Sequence, residues 1–380
     1  MPDTATFLLH KGEYTMFERN KFMMTANRSG MIKHVYNTTK AERSKGIFRP
    51  YLTLEQRKNS AGWDDEVLKI QTSLPKSLYG NNFDELSDAD FAQVLSKMTH
   101  DLKMMDIGVF ESVLAQAEVI GIHYGKNIVL ENGMVPKSII DTIAQGDYFQ
   151  SLDINKVEYR NNGLVWKLHT NTFELALYDK KADLQQAKVS EKRCIEKDNQ
   201  IQLNLFDEPS KYRPMEVLRM EVRLNTVKKI KQVFAKIGLS VPLTFRDMCN
   251  TTIEKQVLLH YLDMIEQARP KYLDYHASSS QDLLAEIRMC NPKLPPKDLL
   301  AFVKTKELID NGDTLGGIRE MIGAQYAPKW RKLVNEAKTI QVSRHIRPLA
   351  FMRSQIEQYK PLKLVDFQDE LLNNDNRIDL

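Results

Sequence analysis

Cysteine is scarce in this sequence, which limits how the fold can be stabilised. The 380 residues include three cysteines, Cys194, Cys249 and Cys290, and no two of them have the C-x-x-C spacing of a zinc site. Their scattered positions also argue against a disulfide framework. We therefore expect reduced thiols and no structural zinc ion.

Long apolar runs are missing as well. No stretch reaches the ~20 apolar residues that a membrane-spanning helix needs. The N-terminus, MPDTATFLLHKGEYTMFERN, has Asp3 near its start and lacks the basic region and the long apolar stretch of a signal peptide. No GxxxxGK[ST] loop, the phosphate-binding signature of ATPases and helicases, occurs in the chain. These absences predict a cytoplasmic protein that does not associate with membranes and is neither an ATPase nor a helicase.

The composition is that of an ordinary globular protein, with positive charge gathered in a few places. Hydrophobic residues make up 42% of the chain and charged residues 27%, and the net charge is +4. Lysine and arginine gather in KVSEKRCIEK, VKKIKQVFAK and APKWRKLVNEAK. Such clusters neutralise phosphates in proteins that bind nucleic acids, although each run is also typical of the solvated face of an amphipathic helix.

Hydrophobic periodicity divides the chain into two parts. The first contains β-branched and alternating runs, and two of these flank His169–Asn171 in the pattern of a β-hairpin. Toward the C-terminus the helical period dominates. We therefore predict an α+β fold, with one domain of strands and helices over residues 1–245 and a helical domain over residues 246–380.

Tyr178 is a candidate nucleophile. It ends the second strand of the predicted hairpin, and Lys181 follows at a spacing that puts both side chains on one face if a helix begins there. A tyrosine is a weak nucleophile at neutral pH because its ordinary pKa is ~10. A neighbouring cation favours the phenolate and also stabilises charge on an attacked phosphate. Tyrosines that end strands and lysines on helices are equally common as purely structural residues.

Attack on a phosphodiester also needs an electrophile, which is commonly a divalent metal ion. Carboxylate and imidazole ligands suit Mg²⁺ or Mn²⁺. The candidate ligands are His123 in IGIHYGK, Glu221 in LRMEVRLN, Asp153 in SLDINK and His169 in WKLHTN. The structural alternatives are that His123 is a hydrogen-bonded core histidine and that Glu221 belongs to an ion pair on a strand.

The order of the segments resembles a known family. Over about residues 60–250 the chain presents KIQTSLPKSLYGNN, DADFAQVLSKMTHDL, IGIHYGKN, LALYDKKADLQQ, LRMEVRLN and AKIGLSVPLTFRDM. In this order and spacing they resemble the replication initiator endonucleases of filamentous phages, the gene II protein family, which has relatives on rolling-circle elements. A weaker resemblance covers KWRKLVNEAK. The resemblance implies an antiparallel-sheet nickase domain of the HUH-like, Rep type.

The same resemblance implies roles for individual residues. The nicking tyrosine of the family corresponds to Tyr178, the lysine of its tyrosine motif to Lys181, and its metal-binding strand glutamate to Glu221. His123 stands where the phage proteins have an aspartate. The implied substrate is origin DNA, single-stranded or extruded and flanked by duplex. Attack by the tyrosine would leave a 5′-phosphotyrosine link and a free 3′-hydroxyl that primes synthesis, with a host helicase as a further partner.

A short peptide and a C-terminal helix suggest additional contacts. QLNLF resembles the peptide by which bacterial replication proteins bind the sliding clamp, and its contact residues would be Gln202, Leu203, Leu205 and Phe206. It is also consistent with an edge strand that packs on its own domain. The segment APKWRKLVNEAKTI predicts a helix that presents Lys329, Arg331 and Lys332 to DNA, as in a helix-turn-helix, although three short helices also form plain bundles.

Two other functions are consistent with the same sequence. The first is a DNA-binding initiator or repressor without catalysis, in which Tyr178 is structural. The second is a relaxase-type or transposase-type nickase of a mobile element, which uses the same chemistry on different DNA.

Overall fold

A ten-stranded antiparallel sheet dominates the structure. The computed structural model describes residues 1–26, 32–39, 41–42, 45–58, 64–131, 133–148, 156–160, 164–186, 215–275, 277–343 and 349–367. The strands are β1 (Thr4–His10), β2 (Thr15–Met16), β3 (Met23–Ala26), β4 (Ile32–Tyr36), β5 (Tyr51–Lys58), β6 (Asp64–Ser73), β7 (Ile107–Gly108), β8 (Glu118–Leu130), β9 (Lys156–Arg160), β10 (Val165–His169), β11 (Phe173–Asp179) and β12 (Glu216–Leu224). The main sheet has the order β3-β4-β5-β6-β1-β8-β12-β11-β10-β9, and β2 pairs with β7 as a separate ribbon.

Helices surround the sheet in the first part of the chain and follow one another in the last part. They are α1 (Leu74–Tyr79), α2 (Phe91–Lys103), α3 (Glu111–Gln116), α4 (Pro136–Ala144), α5 (Lys180–Gln186), α6 (Val227–Lys236), α7 (Phe245–Met248), α8 (Thr251–Gln267), α9 (Ser280–Cys290), α10 (Pro296–Asp310), α11 (Leu315–Ile322), α12 (Ala327–Ala337) and α13 (Ala350–Gln358). Within the described ranges no helix has the length and the apolar character needed to cross a membrane. The α+β class predicted from the sequence is confirmed, with a large antiparallel sheet and a helical C-terminal region.

Period-two alternation gives the sheet one apolar face and one polar face. In β12 the side chains of Leu218, Met220, Val222 and Leu224 are all fully buried in the main core. The intervening positions carry Arg219, Glu221 and Arg223. Neighbouring strands repeat the pattern because successive side chains of a strand point to opposite faces. The charged residues of β12 are therefore gathered on the polar face, whereas Lys126 of β8 lies opposite Met220 on the other side of the sheet.

The apolar face is covered by helices, and its core extends further along the chain than the sequence predicted. The hydrophobic cluster that includes the sheet also contains residues of α8 and α13, among them Leu258, Leu262 and Met352. A second cluster begins at Tyr272 and is built from α9 to α12. The change from one core to the other therefore falls after Ala268, whereas the sequence placed a boundary near residue 245. Amphipathic periodicity identified α8 as a helix but could not show which core it packs against.

The packing of α8 in the same hydrophobic core as the sheet leads to a testable prediction. Leu262 is fully buried on α8, while Leu300 on α10 is 58% exposed. Leu262→Ala should lower the free energy of unfolding by about 2–5 kcal/mol, because it removes buried methyl groups and leaves a cavity. Leu300→Ala, the matched control, should change it by less than about 0.5 kcal/mol. Urea unfolding followed by circular dichroism measures both, and equal effects would contradict the placement of α8.

Candidate active site

Tyr178, Glu221 and His123 come from three adjacent strands and meet on the polar face of the sheet. Tyr178 lies on β11, Glu221 on β12 and His123 on β8. The Tyr178 hydroxyl donates a hydrogen bond to Glu221 Oε2 at 3.1 Å. His123 Nδ1 lies 3.7 Å from Glu221 Oε1. The carboxylate of Glu221, which is 2% exposed, is therefore the centre of the cluster.

Two arginines of β12 flank this carboxylate because positions 219, 221 and 223 share one face. Arg223 Nε donates to Glu221 Oε1 at 2.9 Å and its Nη2 donates to Oε2 at 3.2 Å. Arg219 is almost fully buried, donates from Nη1 to Asn127 Oδ1 at 2.8 Å, and pairs with Asp3 at 3.2 Å. Neither arginine was among the residues predicted from the sequence, although the alternation in RMEVR puts both on the same face as Glu221.

Gly125 provides the space for Arg219. It lies opposite Glu221 in the pairing of β8 with β12. A Cβ atom at this position would lie 2.7 Å from Nη2 of Arg219, closer than real Cβ atoms approach, and 3.1 Å from Cζ, which is a tight contact. The guanidinium therefore lies against the backbone of β8, and a larger residue at position 125 would force it to shift.

Lys180, and not Lys181, is the lysine that lies beside Tyr178. The strand β11 continues through Asp179 and α5 begins at Lys180, so the helical spacing assumed between residues 178 and 181 does not apply. Lys180 Nζ lies 5.9 Å from the centroid of the Tyr178 ring. Burial, together with repulsion from Arg219, lowers the pKa of Lys180 to about 7. Lys181 is partly exposed at the second position of α5.

The resting site holds a neutral phenol next to an ionised carboxylate. Burial raises the pKa of Tyr178 well above its ordinary value, and the charge of Glu221 raises it further, while Arg219 acts in the opposite direction. Burial also acts to raise the pKa of Glu221, but the charges of Arg223, Arg219 and His123 outweigh it and hold that pKa below its usual range. A neighbouring cation was expected to favour the phenolate, whereas burial has the larger effect on the pKa of Tyr178.

His169, another predicted ligand, lies away from this cluster. His169 lies on β10 opposite Glu174 of β11, which in turn lies opposite Arg223. Three strand spacings separate His169 from His123, which amounts to ~14 Å. His169 Nε2 instead lies 3.3 Å from Glu158 Oε1. Asp153, also predicted as a ligand, lies outside the described ranges. So do the predicted clamp-binding residues Gln202, Leu203, Leu205 and Phe206.

The described donors do not fit a site for Mg²⁺ or Mn²⁺. Arg223 donates to both oxygens of Glu221, so a guanidinium already occupies the position that a cation would take. The nearby charge of Arg219 would also repel a metal ion. Among the residues that the structure describes, no group of three histidine, cysteine, aspartate or glutamate side chains is arranged to hold a metal ion. Glu221 and His123 are thus a carboxylate–imidazole pair within a cationic pocket.

The predicted DNA-contacting residues lie on the exposed side of α12. Lys329, Arg331 and Lys332 are all exposed, and the side chain of Lys332 is 80% exposed. Trp330 and Val334 of the same helix are buried in the second hydrophobic cluster. The helix therefore packs through its apolar side and presents its cations to solvent.

Replacing Glu221 should change the titration of Tyr178. Burial is the larger cause of the raised pKa of Tyr178, and Glu221→Gln removes the negative charge that raises it further, so we expect that pKa to fall. Burial keeps it above its ordinary value. The measurement is a pH titration of the ¹³Cζ NMR signal of Tyr178, assigned with Tyr178→Phe. Glu174→Gln, which removes a carboxylate from β11 on the same face, is the control, and an equal fall in that variant would contradict the specific role of Glu221.

Comparisons with protein-family models, with curated proteins and with solved structures find no match to this chain. Its function is therefore inferred from the residues of the site and from the sequence.

Proposed function

We propose that this protein is a rolling-circle replication initiator that nicks one DNA strand, with Tyr178 as the nucleophile. The observation that carries this proposal is the 3.1 Å hydrogen bond from the Tyr178 hydroxyl to the buried Glu221 carboxylate, inside a pocket lined by cations. A hydroxyl bonded to a base and surrounded by positive charge is suited to attack an anionic phosphodiester. The resemblance to the filamentous phage gene II family is an independent support from the sequence.

The proposed reaction is a transesterification. The Oη atom of Tyr178 attacks phosphorus, the Oη–P bond forms and the bond from phosphorus to the 3′-oxygen breaks. The hydroxyl proton passes to Glu221, which already accepts the hydrogen bond, and the leaving 3′-oxygen takes a proton from water. The products are a 5′-phosphotyrosine link and a free 3′-hydroxyl. The energy of the phosphodiester is kept in the covalent link, so rejoining needs no nucleotide hydrolysis.

The proposed DNA partner is an origin that offers a single strand to the polar face and a flanking duplex to the C-terminal helices. Lys329, Arg331 and Lys332 on α12 are exposed, and under this proposal they contact phosphates. In the proposed arrangement α10, α11 and α12 act as a helix-turn-helix unit. A bacterial sliding clamp, bound through Gln202–Phe206, and a host helicase complete the set of proposed partners.

One observation favours a second candidate, a DNA-binding initiator or repressor without catalysis. Burial holds the Tyr178 phenol in its protonated form, as it does for tyrosines with purely structural roles. The exposed cations of α12 would bind DNA in either case. A relaxase-type or transposase-type nickase would share the chemistry of Tyr178 and differ in the DNA on which it acts.

Formation of a covalent DNA adduct separates these candidates. Wild-type protein is incubated with a pool of random-sequence single-stranded oligonucleotides labelled at the 3′-end, and denaturing electrophoresis detects label that remains on the protein. We expect an adduct with wild type and none with Tyr178→Phe, because phenylalanine has no hydroxyl to form the phosphate ester. Tyr124→Phe is the matched control, since Tyr124 is a buried tyrosine of β8 in the main core. An adduct that persists in Tyr178→Phe would remove Tyr178 from the mechanism.

The role of α12 is tested through the salt dependence of duplex binding. Substituting Lys329, Arg331 and Lys332 by glutamine should weaken binding and reduce the slope of log K against log salt by up to about three, because each lost phosphate contact removes about 0.9. The control carries glutamine at Lys228, Lys231 and Lys236, which are exposed on α6 and represent the same loss of charge. Fluorescence anisotropy measures both series. Equal slopes for the two triple variants would exclude a specific role for α12.

A further inference from the structure

The carboxylate at the centre of the site is bound to a guanidinium group. Arg223 donates to both oxygens of Glu221, at 2.9 and 3.2 Å. A paired arrangement of this kind supplies the charge and the geometry that a divalent cation would otherwise provide. The Arg223 side chain is 20% exposed while that of Glu221 is 2% exposed, so Arg223 lies on the solvent side of the cluster.

Arg219 supplies a second guanidinium at the position of the nucleophile. It lies directly opposite Tyr178 in the pairing of β11 with β12, and directly opposed side chains of a sheet share one face. Its Nη1 is held by Asn127 and a further nitrogen pairs with Asp3. Its Nε is buried and, among the residues that the structure describes, makes no hydrogen bond. A buried donor without a partner is costly, and a phosphate oxygen would satisfy it.

We propose that Arg219 and Arg223, rather than a divalent metal ion, bind and neutralise the phosphodiester that Tyr178 attacks. This proposal rests on the proposed nicking function and goes beyond it by naming the electrophilic groups. Arginine is suited to the task because its planar array of donors matches the non-bridging oxygens of a phosphate. It also remains protonated throughout the reaction.

Arg223 has two roles in this scheme. In the resting site it neutralises Glu221, and when the phosphodiester enters it turns to the non-bridging oxygens. Glu221 then loses its counter-charge while it accepts the proton of the Tyr178 hydroxyl. The Oη–P bond forms, the bond to the 3′-oxygen breaks, and that oxygen takes a proton from water. No atom changes its oxidation state, and both arginines keep their protons.

The test measures the rate of adduct formation with the labelled oligonucleotide pool after exhaustive treatment with EDTA, in parallel with Mg²⁺ and with Mn²⁺. We expect the wild-type rate to be the same in the three buffers. Arg223→Gln should lower the rate by about 10²–10³-fold, as does the loss of a donor to a transition-state oxyanion elsewhere. Arg223→Lys should restore part of it. Lys167→Gln removes a cation of β10 near the same face and should leave the rate unchanged.

The outcomes separate this inference from the function on which it rests. An adduct that forms with Mg²⁺ or Mn²⁺ but not in EDTA would overturn the inference and leave the nicking function intact. No adduct with wild-type protein in any of the buffers would overturn the nicking function itself. The EDTA comparison uses wild-type protein, so it remains decisive even if Arg223→Gln fails to fold.

Discussion

The neutralisation of one buried carboxylate constrains the central strands of the sheet. Burying an ionised carboxylate costs several kcal/mol unless paired charges and hydrogen bonds compensate for it. Glu221 obtains this compensation from Arg223 and from the hydroxyl of Tyr178, with Arg219 close by. A slip of β12 by one residue would move all three of its charged side chains into the apolar core. The ionic cluster therefore helps to set the register of the central strands, in addition to forming the candidate site.

The same cluster ties the central strands to their surroundings. Arg219 connects β12 to Asn127 of β8 and to Asp3, which precedes β1. Gly125 must remain without a side chain so that the guanidinium can lie against β8. These contacts hold Arg219 in a fixed position next to Tyr178, and a fixed donor requires little reorganisation when charge develops during a reaction. The rigidity that the fold needs is thus also useful for phosphoryl transfer.

Much of the fold and part of the site could be predicted from the sequence. Alternating runs gave the hairpin of β10 and β11 and the long strand β8, and the meeting of Tyr178, Glu221 and His123 follows from the adjacency of their strands. The position of Lys180 beside the Tyr178 ring could not be predicted. Because β11 extends to Asp179, Lys180 and not Lys181 is the lysine next to this ring. The packing of α8 on the sheet was also missed, since periodicity shows which side of a helix is apolar but not what covers it.

The charges of the site explain how Tyr178 can stay protonated in the resting protein and still act as a nucleophile when the substrate is bound. In the resting protein, burial and the charge of Glu221 keep the Tyr178 proton in place, so the nucleophile is inactive. A phosphodiester brings negative charge to the two arginines, and any guanidinium that turns to it leaves Glu221 with less positive charge nearby. The affinity of this carboxylate for a proton then increases at the moment when the phosphorus atom is within reach. Under the proposed mechanism the substrate itself activates the nucleophile, and a tyrosine with a raised pKa is compatible with catalysis.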